Sequence, residues 1–263
     1  LSAKPESPAA PALPTPRRVP VGAPLRWLAL GWADLKGTGF AGTFYGAVFA
    51  LMGLAIMTVY ETRWQLTMGL TAGFFLVAPF VCCGIYWLSR QRARGERASL
   101  VESLGCWRRN PSGVGFYAAI VTFAMIVWAR VSIVIFALFS TRDFPTLQGV
   151  LKVIFSLTNL PFVTVWFGVG LVFASLVFAI SVVSVPMMLD RNSDTMMAIF
   201  TSVRALWANP VPAYLWAALI VIIVGASLLS GMVALVVTGP LVGHATWHAY
   251  DELVGNAGSA GTA

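Results

Sequence analysis

Apolar runs dominate the chain. Stretches with at most one charge, each approaching the ~20 residues that cross a bilayer, occur at about Phe40 to Tyr60, Leu66 to Leu88, Val114 to Phe136 and Pro161 to Leu189. A fifth run, Val211 to Tyr250, holds 40 residues without a charge, too long for one ordinary crossing, and is predicted to divide near Gly225 to Gly231 into two short helices. The pattern therefore predicts an all-α membrane protein with six transmembrane helices.

Composition agrees. With 58% hydrophobic and 10% charged residues and a mean hydropathy of +0.81 over 263 residues, the chain lies outside the range of soluble globular domains. Residues 1–24 hold seven prolines and no apolar core of the kind a signal peptide needs, so they are expected to form a disordered cytoplasmic tail, with insertion left to the first helix. A six-helix domain over 25–253 and a second disordered tail over 254–263 complete the expected organisation.

The net charge of +7 is unevenly placed. Thirteen of the 17 Lys and Arg residues fall before the first crossing, between the second and third, or between the fourth and fifth; Arg63, Arg142 and Lys152 fall on the other side, and Arg130 lies inside the third helix. The positive-inside rule then puts both termini in the cytoplasm. Tryptophans form two belts: Trp27, Trp32, Trp87, Trp107, Trp207, Trp216 and Trp247 toward the inner boundary, and Trp64, Trp128 and Trp166 toward the outer one. A basic face beside anionic lipid explains the charge without nucleic acid.

A repeat emerges ahead of the odd-numbered helices. Ser103, Trp107 and Asn110-Pro111 precede the third, and Ser202, Trp207 and Asn209-Pro210 precede the fifth. A looser copy, with Trp32 and then Lys36-Gly37-Thr38-Gly39, precedes the first. Each copy predicts a short amphipathic interfacial helix, ended by Gly or Asn-Pro and followed by a transmembrane hairpin, with repeats at about 25–88, 99–189 and 199–250.

The even-numbered helices carry Pro79, Pro186 and Pro240, each expected to kink its helix. Four residues later stand Cys83, Asp190 and His244, and eight later Trp87, Asp194 and His248, offsets that share one helix face. Cys83, Asp190, His244 and His248 are thus the candidate metal ligands, weighed against ordinary hydrogen bonding and ion pairing at an interface. A bis-His haem is disfavoured, because both imidazoles lie on one face of one helix. Cys82, Cys83 and Cys106 are expected to be free thiols on the cytoplasmic side.

Arg130 is expected to snorkel toward the outer headgroups, and Gly69 with Gly73 to serve close helix packing or a partner subunit. The external connection Phe139 to Leu160 is predicted to hold a surface helix at Phe144 to Leu157. No phosphate loop, nucleophile elbow, paired Cys-x-x-Cys or His-Glu-x-x-His is present. Neither catalysis nor a cofactor is implied.

Three pieces of sequence carry a resemblance: Pro-Leu-Val-Gly-His-Ala-Thr-Trp-His-Ala-Tyr from Pro240, Leu189-Asp190-Arg191, and Gly31-Trp32-x-Asp34-Leu35. Together they resemble an uncharacterised bacterial family of integral membrane proteins, some of which are labelled as cytochrome c oxidase subunits. The resemblance spans about Leu25 to Leu253 and implies an association with oxidase, which the lack of an oxidase histidine set would make accessory rather than redox. The expected function is an accessory or scaffolding protein whose partners are the lipid bilayer and other membrane subunits. A small-molecule transporter or channel and a metal-handling protein are the alternatives.

Overall fold

The computed structural model describes residues 14–139 and 160–254, and these are helical apart from short connections. The outer parts of both tails, Arg142, Lys152 and the expected helix at Phe144 to Leu157 lie outside the described residues, as do the side chains of Arg63 and Trp64. Helix α1 spans Ala23–Thr38, α2 Phe40–Ala93 and α3 Leu100–Gly105, followed by a 3-10 turn Cys106–Arg109. Next come α4 Pro111–Phe139, α5 Leu160–Ser181, α6 Ser184–Arg191, α7 Thr195–Ala208, α8 Pro210–Leu229 and α9 Leu235–Val254. Five stretches are long and apolar enough to cross a membrane: Phe40–Tyr60, Gly69–Ala93, Pro111–Phe139, Leu160–Arg191 and Pro210–Leu229. Helix α9 is not among them, because Thr238, His244, Thr246, His248, Asp251 and Glu252 dilute its apolar first half.

Helix α2 folds back on itself. Its 54 residues would reach about 81 Å if straight, yet the Phe49 and Phe74 rings sit 6.2 Å apart and the Tyr45 ring lies against Gly84. The reversal falls between the two apolar stretches, and helical backbone persists through it. Between α8 and α9 the chain turns at residues 230–234, where Gly231 and Met232 both take positive φ.

The fourth apolar run is broken at Val182 and Val183, just ahead of Pro186, rather than kinked within one helix. Proline withholds a donor and crowds the preceding turn, which frees backbone groups there. The Ser202 hydroxyl fills the gap, donating to the Ala179 carbonyl at 2.7 Å and accepting from the Val183 N–H at 3.3 Å. Pro79 and Pro240 instead lie inside continuous helices. At Pro240 the Val236 carbonyl loses its helical donor, and it rests on Gly46 of α2, where a Cβ would overlap it.

Two asparagines shape the entries to α4 and α8. Asn110 (φ −144°, ψ 63°) and Asn209 (φ −138°, ψ 56°) share one backbone conformation. The Asn110 amide donates to the carbonyls of Met188 and Ser193, and its Oδ1 accepts from the Gly113 N–H. The Asn209 amide donates to the Arg17 carbonyl at 2.8 Å while its Oδ1 accepts from the Val19 N–H at 2.8 Å.

Burial is concentrated at one end of the molecule, where α1, the end of α2, α6, α7 and α9 meet around Trp27, Trp87, Met187, Met188, Trp216 and Tyr250. Toward the other end the crossings expose large apolar side chains such as Phe123, Leu138 and Leu171, as lipid-facing helices do.

Candidate functional site

One polar seam runs along α9 inside the packed end. His244, His248 and Glu252 recur every four residues and so form a single stripe. That stripe faces α1 and the end of α2, which places short polar side chains and charges opposite it.

His244 is fully buried. Its Nδ1 lies 2.7 Å from the Ser89 hydroxyl of α2, and its Nε2 lies 3.4 Å from the Thr38 hydroxyl of α1. One turn later, His248 Nε2 lies 2.9 Å from Asp34 Oδ2. Arg92 Nε donates to the other oxygen of the same carboxylate at 2.9 Å. Burial by itself would raise the Asp34 carboxyl, but the hydrogen bond and charge of His248 and the bond from Arg92 outweigh it and hold the group below its ordinary value. One turn further, Glu252 accepts from the Trp27 indole at 2.7 Å and pairs with Arg26.

A second branch leaves the adjoining face of α9. The Tyr250 hydroxyl donates to Asp190 Oδ2 of α6 at 2.9 Å and accepts from Arg191 Nε at 3.2 Å. Asp190 Oδ1 accepts from Arg90 Nε at 2.8 Å. Arg90 and Arg109 in turn stack on the Trp87 ring, 4.8 and 4.9 Å from its centroid. The seam thus ties α9 to α1, α2 and α6 through charge-assisted bonds in a largely dehydrated setting.

The four candidate ligands occupy four different settings. Cys83 packs in the apolar core, Asp190 joins Arg90 and Tyr250, His244 joins Ser89 and Thr38, and His248 joins Asp34. Among the described residues no group of three or more His, Cys, Asp or Glu is arranged to hold a metal ion. Burial pushes the neighbouring Cys106 thiol up to about 12, so near neutrality it stays protonated. Asp194 is not in register with His248: α6 stops at Arg191, and Asp194 caps α7 by accepting from the Met197 N–H at 2.9 Å.

Other singled-out residues are also placed. Trp32 and Trp207 are exposed, and Trp107 packs edge-on against Phe80. Arg130 is exposed beside Trp128, which packs on Trp166. Gly69 and Gly73 face a cavity of about 610 Å³ between the arms of α2, and no atom of the described chain lies where their Cβ atoms would be. They therefore make no close crossing among the described residues.

Sequence reasoning missed Asp34 as a partner, together with Ser89, Arg90, Arg92, Tyr250 and Glu252. A signal existed for two of them: Glu252 extends the four-residue spacing of the histidines, and Asp34 is the lone acid in α1. The three pieces that carried the family resemblance prove to be neighbours, since Asp34 meets His248 while Asp190 and Arg191 meet Tyr250.

Residues 66–190 match the model of a family described as predicted integral membrane protein (DUF2189), the uncharacterised membrane family that the sequence resembles. The match covers the second arm of α2 through Asp190, leaving α1 and α9 outside it. No curated protein and no solved structure matches the chain.

Proposed function

We propose that this chain, similar over 66–190 to that integral-membrane family, is an accessory or scaffolding component of a bacterial inner membrane that contacts other membrane proteins and lipids rather than turning over a substrate. One observation carries the reading. The charged and imidazole groups of α9 and its neighbours are satisfied by one another, so they hold helices together instead of lining a reaction site. Outside that end the crossings offer apolar side chains suited to lipid or partner helices.

The same proposal takes α9 as a sixth crossing with a polar cytoplasmic half, and the whole as three repeats. Support comes from the breaks before the crossings. Asn110 reaches the segment ahead of α7, and Asn209 reaches the segment ahead of α1. In the first unit Gly37 leaves room for Arg92, in the last turn of α2, to pair with Asp34. The second unit thereby touches the approach to the third, and the third closes onto the first. Arg90, Arg92, Arg94, Arg108 and Arg109 flank the packed end, which supports a cytoplasmic location for it and for both termini.

Association with respiratory complexes is the specific form of this proposal, and it rests on the oxidase-subunit label within the resembling family. Transport has less support. The cavity of about 280 Å³ between α2 and α4 is lined by Ala72, Phe75, Met125 and Trp128 with Thr71 as its one hydroxyl, and the larger one within α2 is apolar throughout.

Photo-crosslinking residues placed at Phe123 and Ile133, on the exposed surface of α4, test the reading in native membranes. Discrete adducts with a small set of membrane proteins are expected, and a respiratory subunit among them would support the specific form. Absence of adducts at both positions, together with solute flux through proteoliposomes of the purified protein, would replace scaffolding with transport.

A further inference from the structure

The helices that precede the crossings are packed on one side only. On α7 the exposed residues are Met196, Phe200, Arg204 and Trp207, spaced so that they share one face, with Trp207 79% and Phe200 54% exposed. On α1 the outward side shows Leu25, Ala29, Leu30, Trp32 and Lys36. Val101, Leu104 and Arg108 form the corresponding surface of α3 and the 3-10 turn. A soluble surface rarely leaves such aromatic and aliphatic groups bare.

What covers these faces follows from connectivity. A single residue, Gly39, separates α1 from the crossing that begins at Phe40. Asn110 alone separates the 3-10 turn from the crossing at Pro111, and Asn209 alone separates α7 from the crossing at Pro210. All three segments therefore end at the level where the bilayer begins. Each brings a cation close to a tryptophan at that level: Lys36 lies 5.4 Å from the Trp32 ring, Arg108 lies 5.5 Å from the Trp107 ring while Arg109 turns inward onto Trp87, and Arg204 stands one turn before Trp207. Among the described residues none of the three cations has a carboxylate within ion-pair distance. The nearby acids are otherwise engaged, Glu102 accepting from Gln91 and Asp194 capping the far end of α7.

We infer that these three segments lie half-immersed in the leaflet around the packed end and bind the phosphate headgroups of anionic phospholipids at Lys36, Arg108 and Arg204. The tryptophans sit at the headgroup level beside them, and the aliphatic residues enter the acyl boundary. This rests on the protein's residence in a membrane and not on any protein partner. One cation beside anionic lipid contributes ~1 kcal/mol, equivalent to about a fivefold local enrichment of anionic over zwitterionic headgroups.

The test uses the full chain reconstituted alone into phosphatidylcholine bilayers carrying a minor fraction of brominated phosphatidylglycerol or brominated phosphatidylcholine. Tryptophan quenching by the brominated phosphatidylglycerol should exceed that by the brominated phosphatidylcholine. The excess should vanish in a Lys36→Gln, Arg108→Gln, Arg204→Gln variant whose helical circular dichroism is unchanged, and Trp207→Phe should lower quenching by both lipids. Equal quenching of the parent protein by the two lipids, or a preference that survives the triple variant, would overturn the inference. Because no second protein is present, failure here leaves the crosslinking result for the scaffold reading untouched.

Discussion

His248 and Asp34 stand 214 positions apart in the chain, yet the imidazole Nε2 and carboxylate Oδ2 meet at 2.9 Å, with Arg92 on the other oxygen of the same carboxylate. Both side chains are largely buried, so removing the shared anion leaves a guanidinium and an imidazole facing each other without compensation. Asp34→Asn should therefore cost about 2–3 kcal/mol, which for a chain of this size lowers the melting temperature in detergent by roughly 5–10 °C. Arg26→Ala breaks a half-exposed pair with Glu252 and should cost under about 1 kcal/mol. If the Arg26 change proved the more damaging, the seam would not be the principal tie.

The lowered carboxyl of Asp34 also gives stability a pH dependence. A group whose folded pKa lies below its unfolded value contributes stability that is complete above the unfolded value, here 3.8, and lost as pH falls through the folded one. The contribution should thus be constant near neutrality and decline only in acid below about pH 4. Thermal melts against pH should show the parent losing more of its melting temperature across that acid range than Asp34→Asn does. Parallel losses in the two proteins would show that Asp34 is not held low.

Glycine substitution should separate close contact from open space. Gly46→Ala pushes a methyl into the Val236 carbonyl that Pro240 has freed, at a backbone contact that can yield only by moving α9 off α2. A loss of about 1–3 kcal/mol is expected. Gly69→Ala meets nothing within the described chain and gains helix propensity, so its change should be neutral or a gain of up to ~1 kcal/mol. Unfolding midpoints of the two variants, measured side by side, check the contrast.

Local chemistry was the legible part of this chain. Asn-Pro before α4 and α8 announced the helix starts, because proline suits a first turn; the Asn110 side chain caps α4, whereas that of Asn209 is spent on Val19 and Arg17. Gly231 announced the turn between α8 and α9, but Met232, which shares its positive φ, carries no such signal and the turn fell at the late edge of the expected interval. Pro186 marked a disturbance; that the disturbance becomes a break depended on Ser202, nineteen residues from Val183, supplying both bonds. Arg90 and Arg92 entered the sequence analysis only as topological charges. Counting cations along a chain does not distinguish a solvated guanidinium from one paired with Asp190 or Asp34, and the partners here lie on other helices.

Orientation is open to direct labelling. Ser99 stands at the packed end, ahead of α3, while Ser230 stands in the turn between α8 and α9. In intact cells a membrane-impermeant thiol reagent should label Ser230→Cys and leave Ser99→Cys unmodified until the membrane is opened, with the native cysteines replaced by alanine in both. The opposite pattern would reverse the proposed topology.

Metal content tests the central claim most directly, since that claim is that the imidazoles of α9 tie helices together rather than hold a cofactor. Elemental analysis and visible absorption should be taken on protein purified from native membranes without chelators, alongside a His244→Ala, His248→Ala variant. The account predicts substoichiometric metal and no haem band in both proteins, with the variant distinguished by a lower melting temperature. A stoichiometric metal or haem in the parent that the variant lacks would contradict it.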